Sequence, residues 1–343
     1  MTLIRFNTGD VVVKDEKVGV STWTNNTNNL QTAHTSSTQD NHLTPTGSSA
    51  FYLNVFQDVA TATTAEVQYA VSYGHKFGSG SLDFTNDVGS IGLSAARTIY
   101  GQFRNLVFGD ETQDFTFGTH TSKDIYVINV NRSRYKQQLK LGTLNLHLSG
   151  TLPFKEIHLT DDSVTNPSGI GTSNLGSYYN VVSGSSGIAS GSSEIQVGGS
   201  ASYGLFFPKA GLIILNPDAF DPSSTIYPLR NPNGNNGLDD NNTRLYHAIS
   251  GAGYFILDSE ETIASQYYFV RARNNEFNYT NNPTFSDDEG NVSFDSMINS
   301  PKTFITTVGL YNDNNDLVAV AKLSQPVAKD PTKEALIRVK LDY

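Results

Sequence analysis

Thr303-Phe-Ile-Thr-Thr-Val-Gly-Leu-Tyr311, Asn312-Asp-Asn-Asn-Asp316 and Leu317-Val-Ala-Val-Ala-Lys-Leu323 read as strand, turn and strand. β-Branched and aromatic residues fill the flanks and a polar run fills the middle, the pattern of a hairpin. Downstream, Leu336-Ile-Arg-Val-Lys-Leu-Asp-Tyr343 alternates strictly. Ile337, Val339, Leu341 and Tyr343 face one way, and Arg338, Lys340 and Asp342 the other. A terminus this regular pairs in a sheet, with Ile337, Val339 and Leu341 as its candidate contact residues.

Working outward, the same grammar recurs in Tyr267-Tyr-Phe-Val-Arg-Ala-Arg273, Phe51-Tyr-Leu-Asn-Val-Phe56, Ile125-Tyr-Val-Ile-Asn-Val130 and Leu144-Asn-Leu-His-Leu148. In Ala65-Glu-Val-Gln-Tyr-Ala-Val-Ser-Tyr73, Ala65, Val67, Tyr69, Val71 and Tyr73 share one face. Ser94 to Phe108 breaks the period. There Ile99, Phe103, Leu106 and Val107 recur at helical spacing, and a second short helix is expected over Arg132 to Leu139. The expected class is mainly β: antiparallel β-sandwich-type domains with one or two short helices and long Gly/Ser/Asn-rich loops.

The expected organisation has four parts. Residues 1–49 form an extended N-terminal arm, and 50–165 a β-rich domain with its helix near 95–108. Residues 166–245 form inserted loops and a hairpin over Ala201 to Leu215. Residues 246–343 form a C-terminal β domain that packs with 50–165. Asn166 to Ser202, with Ser183-Gly-Ser-Ser-Gly-Ile-Ala-Ser-Gly-Ser-Ser193 inside it, has few apolar groups and reads as loop or exposed hairpin. Asn231 to Asn242 reads as a second polar loop.

Composition narrows the function. The 343 residues contain no cysteine, so disulfides and thiolate metal sites are excluded. The net charge of −10 opposes binding to nucleic acid as the main task. No window approaches the roughly 20 apolar residues of a membrane span, and Met1 to Asp10 has no apolar leader core, so a chain made in the cytoplasm is expected.

No catalytic, cofactor or metal motif emerges, and the chain reads as a non-enzyme. Acidic groups at Asp161-Asp162, Asp239-Asp240, Asp287-Asp-Glu289 and Asp313 with Asp316 lack the alternating spacing of a calcium loop and suit turns. His34, His42, His75, His120, His147, His158 and His247 form no HExxH helix or other close metal pair. The Gly-Ser repeats near Ser185 and Ser192 are low complexity and not a nucleophile elbow. Tyr73-Gly-His-Lys-Phe-Gly-Ser-Gly-Ser81 lacks the Gly-Lys-Ser/Thr ending of a phosphate loop. Two aromatic features stand as interface candidates. Trp23, the only tryptophan, anchors the arm on a neighbour or covers its own core, and Tyr178-Tyr179 offers a protein contact or a sugar-stacking surface.

Thr98-Ile-Tyr-Gly-Gln-Phe-Arg-Asn-Leu-Val107, leading to Asp124-Ile-Tyr-Val-Ile-Asn-Val-Asn-Arg-Ser-Arg-Tyr-Lys136, resembles virion structural proteins of marine and cyanobacterial T4-like contractile-tailed phages. The stretch Thr306 to Pro326 is similar to a strand–turn–strand of baseplate and tail-fibre attachment proteins. With Lys322-Leu-Ser-Gln-Pro-Val-Ala-Lys-Asp330 and its last strand, the chain looks most like a baseplate wedge component. The resemblance covers about half the chain and brings no catalytic residues or cofactor. It implies a virion location, other tail and baseplate proteins as partners, and several copies of this chain per particle. A carbohydrate-binding (receptor-recognition) protein or a tail-fibre attachment protein is the alternative.

Overall fold

The computed structural model describes residues 3–27, 30, 32–35, 52–58, 62–80, 94–149, 156–190, 202–220, 241–278 and 284–342. In chain order the first strands are β1 (Val11–Ser21), β2 (Thr32–Thr35), β3 (Leu53–Phe56), β4 (Val67–His75), β5 (Phe115–Phe117), β6 (His120–Ser122) and β7 (Asp124–Val130). Then come β8 (Gln138–Leu139), β9 (Asn145–Ser149), β10 (Glu156–Asp161), β11 (Gly171–Ser173), β12 (Gly176–Ser185) and β13 (Ile188–Ala189). The last are β14 (Gly204–Phe207), β15 (Leu212–Leu215), β16 (Phe255–Ile256), β17 (Asp258–Ala272), β18 (Thr303–Tyr311), β19 (Leu317–Lys329) and β20 (Ala335–Asp342). The helices are α1 (Ala95–Phe108), α2 (Asn241–Ala252) and α3 (Asp295–Asn299). The class is mainly β and antiparallel, as the sequence leads one to expect.

The chain forms two compact units, one of residues 18–261 and one of residues 1–17 with 262–343. The larger unit is built on one sheet, in the order β16-β9-β10-β12-β14-β15-β7-β4-β3-β2, with β11 and β13 attached to β12. Its central strands β7, β14 and β15 are apolar on both faces, so each face needs a cover. One face presents Ile125, Val127, Leu205, Phe207, Leu212 and Ile214 to Ile99, Tyr100, Phe103 and Val107 of α1 and to Phe115 and Phe117 of β5. Helix α1 starts where the Ser94 hydroxyl accepts from the Arg97 N–H, and it ends at Gly109 in the left-handed region (φ 67°). It lies so close to β4 that a Cβ at Gly74 would sit 2.8 Å from the Tyr100 nitrogen. Leu106, expected on the buried face, is exposed, because Ile99, Phe103 and Val107 follow the i, i+4, i+8 row and take the contact.

The other face curls on itself. Tyr69 of β4 and Phe255 of β16 stand seven places apart in the sheet order, about 34 Å in a flat sheet at roughly 4.8 Å per strand. Their ring centroids are 5.3 Å apart. Trp23 packs against both rings, with centroids 5.6 Å from Tyr69 and 4.8 Å from Phe255, and its indole N–H donates to the Phe255 carbonyl at 2.6 Å. Leu245, Ala248 and Ile249 of α2 join the same core.

Three sequence expectations change here. Arg132 to Leu139 is a single 3-10 turn (Arg132–Arg134) followed by β8, with the Asn131 side chain accepting from the Ser133 N–H. A helix occupies 241–252, where the sequence offers little periodicity and Asn241 and Asn242 are buried at its start. The stretch 166–202 is not a loop outside the core. Its strand β12 pairs with β10 and β14, and Tyr179 and Val181 are buried in the main core. Neighbouring strands supply the apolar surface that β12 itself lacks. Residues 191–200 and the 231–240 part of the second polar loop lie outside the described residues.

In the smaller unit, the sheet β1-β17-β20 lies under the two-stranded sheet β18-β19, so a small sandwich forms. Strand β20 pairs along its length with β17, setting Val339 opposite Tyr268 and Ile337 opposite Val270.

If Trp23 holds the two ends of the curled sheet together, Trp23→Ala should cost about 3–5 kcal/mol in urea unfolding. Trp23→Phe should recover part of this by keeping the ring contacts while losing the N–H bond. A loss of under about 0.5 kcal/mol for Trp23→Ala would show that the sheet closes without it.

Candidate functional site

The smaller unit has two unlike outer faces. Its interior is small: Val308, Leu310 and Val339 are buried, with Tyr268, Val270, Ala319, Ala321, Ile337 and Leu341 packed around them. The sheet side turns polar groups outward. Tyr267 donates to Glu16 Oε1 at 2.8 Å, Lys340 Nζ lies 3.3 Å from Glu16 Oε2 and 3.1 Å from Asp342 Oδ1, and the Arg338 guanidinium sits over the Tyr267 ring. The Tyr267 hydrogen bond and then Lys340 hold the Glu16 carboxyl below its ordinary value of 4.5. Ser265 and then Lys340 lower Asp342 likewise, and the same carboxylates raise Lys340.

The hairpin side does the opposite. Leu317, Val318 and Val320 point away from the interior and are 53%, 66% and 60% exposed, and Phe304, beyond the register break of the hairpin, is 62% exposed. Gly309 sits beneath the Tyr311 and Leu317 side chains, where a Cβ would meet them at 3.0 and 3.2 Å, so these two lie flat across the strand. Among the described residues, 14 of the 21 exposed large apolar side chains belong to this unit of residues 1–17 and 262–343. Single exposed apolar residues are ordinary on a protein surface, and their clustering on one side of this hairpin makes it the candidate contact surface.

The candidates read from the sequence fall into three groups. Ile337, Val339 and Leu341 share the inner face of β20, as the alternation predicts, and they hold the hairpin on its sheet. Tyr343 is outside the described residues. Trp23 covers its own unit's core and is 2% exposed, which leaves no ring for a neighbour. Tyr178 and Tyr179 point to opposite faces of β12: Tyr178 stacks on Phe207, and Tyr179 is buried with its hydroxyl donating to the Pro167 carbonyl. The pair forms no continuous stacking platform. Leu317, Val318 and Val320 were legible as strand residues but not as exposed ones, since a sequence does not say which face a hairpin buries.

One partly buried polar cluster resembles a hydrolytic set in composition. His120 Nε2 lies 2.7 Å from Asp218 Oδ2, which accepts from the Ser122 hydroxyl at 3.0 Å; that hydroxyl is also 3.1 Å from Asp124 Oδ1, and Tyr73 donates to Asp124 Oδ2. The order is imidazole, carboxylate, hydroxyl. A serine nucleophile needs the imidazole next to its oxygen, whereas here the carboxylates hold the proton in place. The cluster ties β6 and β7 to the turn Pro217–Phe220. The acidic pair Asp161-Asp162 is tied into the backbone: Asp161 Oδ2 accepts from the Gly142 N–H and Asp162 Oδ1 from the Asn180 N–H, both at 2.9 Å, while Asp161 Oδ1 is buried without a hydrogen-bond partner. Asp287 accepts from the N–H groups of Glu289 and Asn291, as a turn residue does, and Asp239-Asp240 lies outside the described residues. Comparison with protein-family models, with curated proteins and with solved structures finds no match.

Two outcomes test this account of the smaller unit. Val339→Asp, which places an unpaired charge in its interior, should cost roughly 3–5 kcal/mol, while Lys340→Ala on the outer face should be mild in thermal melts followed by circular dichroism. Glu16 is a depressed carboxylate, so its contribution to stability is present above pH 4.5 and is lost as pH falls through its lower folded value. Glu16→Gln should therefore flatten the fall in urea midpoint on acidification below that point. Identical acid slopes for the two proteins would mean that the network adds no net stability.

Proposed function

We propose that this chain is a structural component of a contractile phage tail, a baseplate wedge protein that assembles with other tail proteins and with further copies of itself. The observation that carries the reading is the apolar outer face of β18-β19. Phe304, Leu317, Val318 and Val320 gain nothing in an isolated chain, and full burial of such side chains stabilises by about 1.5–3 kcal/mol each. Thr306 to Pro326, one of the stretches that resemble tail proteins, lies within this hairpin. The role is mechanical and not catalytic: the small sandwich offers its exposed hairpin face for contact with a neighbour. Its place of work is the virion tail, after synthesis in the host cytoplasm.

Immunogold electron microscopy of virions with antibodies to this chain should label the baseplate end of the tail. The double substitution Val318→Asp and Val320→Asp should leave the melting transition unchanged, because both residues face solvent, and should abolish incorporation into tails in a complementation assay. Label confined to heads, or normal incorporation of the variant, would sink the proposal.

A further inference from the structure

On the larger unit, β9 and β10 pair so that His147 stands directly opposite His158, with Glu156 two residues before His158 on the same outward face. The register is fixed from the other side of the sheet, where Leu146, Leu148, Ile157 and Leu159 enter the main core. The two imidazoles are stacked, with centroids 3.7 Å apart and planes within 9°. Glu156 Oε1 lies 2.8 Å from His147 Nδ1 and 3.6 Å from His158 Nε2. On the far side of His147 the ring of Tyr254 closes the row at 4.2 Å, and the Tyr254 carbonyl accepts from the main-chain N–H of His147.

We infer that His147, Glu156 and His158 form a binding site for one borderline divalent transition-metal ion, of which Zn2+ is the representative. Ligands of a tetrahedral zinc at about 2.0–2.2 Å stand roughly 3.3 Å from one another. The two measured separations from Glu156 Oε1, 2.8 and 3.6 Å, bracket that spacing, and one ligand atom from each residue falls within 4.8 Å of the others. Two imidazoles with one carboxylate suit zinc and its neighbours and not the hard cations, which prefer oxygen ligands throughout. Three protein ligands leave a fourth position open to water or to a group from another molecule.

The strands supply what such a site needs beyond the ligands. Tyr254 packs against His147 and holds that ring, while the half-exposed His158 ring turns out of the parallel stack so that the in-plane lone pairs of both imidazoles meet at one ion. Glu156 and His158 stand at the rim of an open cleft of about 440 Å3, lined also by Ser183, Gly184 and Tyr203, which gives the fourth position access to solvent. The inference is independent of a role in a tail.

The test uses the full-length chain with any affinity tag removed. Titration with Co2+ should give a visible d–d absorption that saturates at one equivalent, and competition between the protein and a chromophoric zinc chelator should report the zinc affinity. His158→Ala and the conservative Glu156→Gln, both at exposed positions, should each weaken zinc binding on the order of 100-fold. Exposed His247→Ala should leave it unchanged. Zinc should also raise the melting temperature of the parent protein and not that of His158→Ala. Equal zinc affinity in parent, His158→Ala and Glu156→Gln, or no saturable binding below about 1 mM, would show instead that the three residues form only an ordinary surface hydrogen-bond cluster.

Discussion

The larger unit depends on bringing two distant strands of one sheet together. A flat ten-strand path would leave the apolar face of β4, β7, β9, β10 and β12 open to water, and no second sheet of comparable size is present among the described residues to cover it. The sheet covers itself by curling, and Trp23 fills the gap between Tyr69 and Phe255 where the ends meet. A tryptophan suits this place because its area bridges two rings while its one polar atom needs a single acceptor, here the Phe255 carbonyl. With that face closed, only the central strands need a cover on the other side, and α1 with β5 provides it.

The smaller unit is organised by a different constraint. Fewer than ten side chains make its interior, so the sandwich has little to spare, and an isolated two-stranded ribbon such as β18-β19 would be marginal by itself in water. Ala319 and Ala321 lie toward the sheet while Val318 and Val320 lie away from it. The larger side chains of β19 are therefore on the solvent side, the reverse of what a free-standing sandwich would favour. The polar network of Glu16, Tyr267, Lys340 and Asp342 on the opposite face shows the ordinary arrangement in the same unit.

Much of this was legible in the sequence where a strand buries one face and shows the other to water. Ile337, Val339 and Leu341 declared their face by alternation, and Ser94 and Gly109 bracket α1 with standard capping chemistry. What escaped reading depends on neighbours distant in sequence. β12 carries Gly, Ser and Asn because β10 and β14 bring the apolar surface, and α2 begins with two buried asparagines, one of them donating to the Gly80 carbonyl. His147 and His158 are eleven positions apart, so no spacing rule joins them; only the β9-β10 register does. Trp23 was legible as important, but its partner Phe255 is 232 positions away.

The edges of the smaller unit bear on how a neighbour would meet it. Edge strand β1 exposes Lys14, Asp15 and Lys17 beside Val12 and Val13, and charged side chains along an edge oppose addition of a further strand. β20, at the other edge, presents Arg338 and Lys340. In the hairpin, the register jumps from Ile305↔Val327 to Thr307↔Lys322, which leaves Leu323 to Pro326 without ladder partners and places a residue with no N–H in the irregular stretch. Strand addition is thus discouraged along several margins, whereas the outer face at Leu317, Val318 and Val320 is apolar up to Lys322, the one charge that points the same way along this run of β19. A neighbour gains most by covering that face with side chains, so the contact it favours is face-to-face packing and not extension of the sheet.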